Sequence, residues 1–137
     1  MLTAKNAVFL FFATFAANGH GEAGELPTPP VSAIVPGGER TRVGITYHLN
    51  PDCSSGGKIT TRLFQAPKNG KVEMLTERGF TEYAKDVHAY KCNERETEVT
   101  AFYYTSQDDF KGRDQFTVEI FFPNGNYRKR IFNVDVH

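Results

Sequence analysis

Strict alternation of apolar and polar positions dominates the C-terminal third of this chain and weakens upstream. In Asp114–Phe122 the residues Phe116, Val118, Ile120 and Phe122 alternate with Gln115, Thr117 and Glu119, the pattern of a strand with one face buried and one solvated. Pro123-Asn-Gly-Asn126 then turns the chain, and Tyr127–Val136 returns with Phe132, Val134 and Val136 inward, so the two segments predict a hairpin. Glu98–Thr105 carries bulk on both faces, Val99, Ala101 and Tyr103 against Thr100, Phe102 and Tyr104, as a central strand does. Further upstream, Arg40–Tyr47 sets Val43, Ile45 and Tyr47 against Arg42, Thr46 and His48. Ile59–Gln65 is rich in β-branched residues and reads as strand. Ala66-Pro-Lys-Asn-Gly70 has the Asn-Gly chemistry of a tight hairpin turn, after which Val72 and Met74 open another strand. Val31–Val35 supplies a short first strand, closed by Pro36-Gly-Gly38. Between Glu77 and Asn93 the period is lost, and a long loop with a helical turn is expected there. No segment beyond the N-terminal run shows a long amphipathic helix period, so the class is all-β.

The N-terminus changes this picture. Lys5 precedes the apolar run Ala7–Ala17, which has the length of a signal-peptide core and is too short for a permanent membrane span. Small residues follow, and cleavage fits after Ala16, Gly19 or Ala23. The reading is a signal peptide over residues 1–19, an extended Pro/Gly-rich segment over 20–38 and one domain over 39–137. Export to the periplasm or beyond is expected, with no membrane insertion once the leader is removed. Cys53 and Cys92 then lie in an oxidising compartment, where an isolated pair becomes a disulfide. Lysines and arginines number 16, as do the carboxylates; losing Lys5 with the leader leaves 15 against 16. That balance argues against nucleic acid as partner. Within Arg128-Lys-Arg130, Arg128 and Arg130 share one strand face, which is read as solvated or edge-protecting rather than as an anion site.

Seven or so short strands separated by regular turns predict an immunoglobulin-like β-sandwich of about seven antiparallel strands. The motif Phe110-x-Gly-x-Asp-x-Phe-x-Val118, preceded by Pro67-Lys-Asn-Gly-Lys-Val72 and followed by an Asn-Gly turn and a final Phe-x-Val-x-Val136 strand, resembles bacterial cadherin-like and immunoglobulin-like repeats. The likeness covers the C-terminal half. It implies a binding or spacer module without enzyme activity. Independently of it, Gly112 permits a backbone bend, Asp114 can accept bonds from loop amides, and Phe116 starts the inward series; the three form a structural corner.

Catalytic constellations are lacking: there is no GxSxG, HExxH or phosphate-binding glycine loop. His48 and His88 are read as solvated or core histidines. Asp108, Asp109 and Asp114 suggest calcium on paper, but a loop capped by Asp114 is preferred. Cleavage after Gly19 would expose His20 as a terminal copper ligand, with a second ligand from His48, His88 or His137. Glu94, Glu96 and Glu98 read as one solvated strand face, and Tyr83, Tyr90 and Tyr127 as rim tyrosines or a recognition surface. The expected function is an exported, non-enzymatic binding or structural module without cofactor, recognising an envelope protein or a glycan. A copper- or calcium-binding protein is the alternative, and an enzyme of unrecognised type ranks last.

Overall fold

The computed structural model describes residues 28–137. The expected signal peptide, residues 1–19, and the candidate copper ligand His20 lie outside the described residues. The described residues form seven strands: β1 (Val31–Val35), β2 (Thr41–Thr46), β3 (Thr60–Gln65), β4 (Gly70–Phe80), β5 (Glu96–Ser106), β6 (Gly112–Phe121) and β7 (Tyr127–Val136). One sheet has the order β1-β7-β6-β3 and the other β2-β5-β4. The second, fourth and fifth strands against the third, sixth and seventh is the immunoglobulin-type division of a sandwich. Between the sheets lie Phe102, Tyr104, Phe116, Val118, Ile120, Phe132 and Val134, with Phe116 and Phe132 stacked at 4.6 Å.

Several expectations are corrected. The domain begins before residue 39, because β1 pairs with β7 from Val31↔Phe132 to Val35↔Val136, in parallel, and Val35 is buried. Prolines 29 and 30, which lack an N–H, precede β1, and Pro36 follows it, so β1 stays short. The Asn69-Gly70 turn does not close a hairpin: β3 and β4 belong to different sheets, and the turn carries the chain across the sandwich. In β2 the register shifts between Arg42 and Gly44. This bulge buries Thr46 together with Val43 and takes Ile45 out of the inward series. Gly44 is needed there, since a Cβ would meet the Phe132 ring at 2.9 Å. β4 runs on to Phe80, so the weakly patterned region is shorter than expected, and the helical turn is a 3₁₀ segment, His88–Glu94. Thr117 and Glu119 face outward but are buried. Glu119 is roofed by Arg62, whose Nε donates to it at 2.6 Å, and by the Tyr127 hydroxyl at 2.8 Å.

Cys53 and Cys92 form a disulfide. A disulfide-bonded domain belongs to an oxidising, non-cytoplasmic setting. Among the described residues no helix is long and apolar enough to cross a membrane.

Candidate functional site

β7 positions the site. Its buried series Phe132, Val134, Val136 continues backward at period two to Arg130 and Arg128. Register places Arg130 opposite Val118 and Arg128 opposite Ile120, both core residues. Directly opposed residues of an antiparallel pair share a face, so both arginines point between the sheets. The expected solvated strand face is therefore not found. The two side chains are half-buried, and the Nε–H of each is sealed from solvent without a hydrogen-bond partner. A sealed, unpaired polar group costs on the order of 1–3 kcal/mol, and more when charged.

The arginines floor a cleft of about 410 Å³ at one end of the sandwich. Tyr47 and His48 continue from the end of β2, Phe122 and Asn126 come from the β6–β7 turn, and Glu82 and Tyr83 follow β4. Each wall is held by local chemistry. The Tyr47 hydroxyl accepts the Glu82 N–H at 3.0 Å, and the Tyr47 and Tyr83 rings meet edge to face at 4.9 Å. Asn93 clamps Tyr83, accepting its N–H and donating to its carbonyl, both at 2.9 Å. Asn93 follows Cys92, so the disulfide anchors the post on which the Tyr83 wall hangs. At the other end of the bridge, Cys53 sits at φ 69° in a turn closed by Asn50 and Ser54. His48 and Phe122 pack at 5.7 Å, and the Arg128 guanidinium lies 5.6 Å from the Phe122 ring centre.

Burial pushes the Arg130 guanidinium down, and the like charge of Arg128 pushes the same way, while Tyr47 and Glu82 partly oppose them. Among the described residues neither arginine has a carboxylate within ion-pairing distance. Glu82 acts on Arg130 only at longer range. Burial also raises the Tyr47 phenol, against the pull of the Glu82 amide. A floor of two guanidiniums without an ion-paired carboxylate, between aromatic walls, is suited to holding an anion.

The corner residues lie elsewhere. Asp114 is buried; its Oδ1 accepts the N–H groups of Lys68 at 3.0 Å and Gln115 at 2.9 Å, and its Oδ2 accepts Asn69 N–H at 3.0 Å and the Tyr104 hydroxyl at 2.8 Å. Gly112 adopts φ +123°, and Phe116 is fully buried. Asp108 and Asp109 stay exposed, and no group of three or more His, Cys, Asp or Glu suited to a metal occurs among the described residues. The histidines do not converge: His48 lines the cleft, His88 opens the 3₁₀ segment, and His137 lies 3.5 Å from Asp135. Glu96 pairs with Arg78 at 3.1 Å on an exposed surface that also bears Glu94 and Glu98. Of the flagged tyrosines, Tyr83 and Tyr127 reach the cleft, whereas Tyr90 is not among its lining residues. A larger groove of about 870 Å³ crosses the outer face of the four-stranded sheet, where the Gln115 side-chain amide donates to Asn133 at 2.7 Å.

No family model matches the chain, and no curated protein does. Among solved structures the chain is similar to one described as "Solution Structure of Amebosin", 15% identical over 80% of this chain and 100% of that one, with a TM-score of 0.39. A likeness of that size carries no functional argument.

Proposed function

We propose that the chain is an exported, non-enzymatic recognition module of the periplasm or extracellular space, binding an anion-bearing ligand in the Arg128–Arg130 cleft. One observation carries this reading: two half-buried guanidiniums from one strand line the cleft, and among the described residues neither has a carboxylate within ion-pairing distance. An anion arriving from outside supplies what the fold omits. The disulfide supports the setting, and the corner Gly112, Asp114 and Phe116 is assigned to folding, in keeping with the resemblance to cadherin-like and immunoglobulin-like repeats. The balanced charge favours a glycan or an envelope protein over nucleic acid. A metal-binding role finds less support, since Asp114 is fully engaged with backbone and Tyr104.

Thermal unfolding in sodium acetate against sodium chloride at equal ionic strength tests the proposal, with Arg130→Met as control. A ligand that binds only the native state raises the melting temperature. Acetate should raise it in the wild type and not in the variant. Equal behaviour of the two proteins would remove the cleft as an anion site.

A further inference from the structure

We infer that the anion enters the cleft on a sugar ring, so that the ligand is a singly acidic saccharide such as a uronic acid; this rests on the anion-site reading above. The floor offers two guanidiniums, and the paired N–H groups of a guanidinium form the fork that grips a carboxylate. The rest of the lining suits the other parts of such a ring. Tyr47, Tyr83 and Phe122 present aromatic surface against which the C–H face of a sugar packs. The Tyr47 hydroxyl already accepts the Glu82 N–H, which leaves its proton to donate into the cleft. Asn126 and His48 each offer both donor and acceptor, and a sugar hydroxyl is both at once.

Glu82 narrows the class. Its carboxylate stands in the same lining and within electrostatic reach of Arg130. A second negative charge on the ligand would be repelled there, whereas a hydroxyl would be accepted. One carboxylate at the floor and hydroxyls at the rim match this distribution; a polyphosphate or heavily sulfated chain does not.

The test is titration of the purified protein, followed through the Nε–Hε resonances of Arg128 and Arg130, with four probes: methyl glucuronide, methyl glucoside, sodium sulfate and an N-acetylated tripeptide with a free carboxylate. Methyl glucuronide should saturate both resonances and bind about tenfold tighter than each other probe. Tyr83→Ala should weaken the glucuronide and leave sulfate unchanged, and Glu82→Gln should relax the preference against sulfate. If sulfate or the tripeptide binds as tightly as the glucuronide, the saccharide assignment is wrong and the anion site stands. Arginine resonances that move with none of the probes would overturn both.

Discussion

Asp114 and the Arg128–Arg130 pair occupy opposite ends of the same β6–β7 hairpin, and the fold treats their charges in opposite ways. Asp114 lies opposite Val134, near the start of β6, while Arg128 lies opposite Ile120, near its end. Both sites sit at the margin of the same apolar core. The carboxylate receives three backbone N–H groups and one phenol. The guanidiniums keep Nε–H groups that donate to nothing. A buried charge whose partners are all internal is a fastening. One whose partners are missing is unfinished unless something outside completes it, and that difference separates a residue of the fold from a residue of the site.

The comparison can be broken most easily at the carboxylate. Asp114→Ala leaves two loop amides and the Tyr104 hydroxyl without their acceptor, and should cost about 3–5 kcal/mol in urea unfolding. A loss near zero would mean that the corner is not a fastening. Replacing both Cys53 and Cys92 by Ala should cost about 2–4 kcal/mol, because the bridge closes a long loop in the unfolded chain. It should also weaken acetate binding, since Asn93 and the Tyr83 wall lose their anchor, while the Asp114 end keeps its hydrogen bonds. Preserved binding in that variant, measured by the acetate-dependent melting shift, would uncouple the bridge from the cleft.

Alkali provides a gentler probe of the Asp114 end. Burial, then the hydrogen bond to Asp114 and its charge, push the Tyr104 phenol well above its usual range. An unfolded tyrosine ionises near pH 10. The folded value is raised, so this contribution is complete below about pH 10 and fades as pH climbs through the folded value. Stability curves from pH 8 upward should show that decline in the wild type, and a smaller one in Asp114→Ala. Parallel curves would show that Asp114 does not govern Tyr104.

Much of this was legible in the residues. Alternation in β6 and β7 marked Phe116, Val118, Ile120, Phe132 and Val134 as core, and Cys53 and Cys92 pair. The inward direction of Arg128 and Arg130 was also within reach, because counting back by two from Phe132 arrives at both. Charge hid it: a basic residue on a strand is ordinarily solvated, and nothing local reveals that β2 and the segment after β4 will wall the same end. Tyr47, Glu82 and Tyr83 are brought there by contacts across dozens of residues, with Asn93 as the clamp. The β2 bulge is hidden for a related reason, since Gly44 is demanded by the Phe132 ring and not by its own neighbours. Likewise the Asn-Gly signal at 69–70 fixes a turn but not which sheet receives the next strand.

The smallest predicted effect in size tests the central contrast most directly. Arg130→Met keeps the apolar stem, removes a desolvated charge and leaves no carboxylate behind, because none is paired with it. Equilibrium urea unfolding without added anion, beyond a dilute chloride buffer, should show the variant more stable than the wild type by about 1 kcal/mol. A loss of 1 kcal/mol or more would contradict the account, placing Arg130 with Asp114 among the residues that hold the fold together.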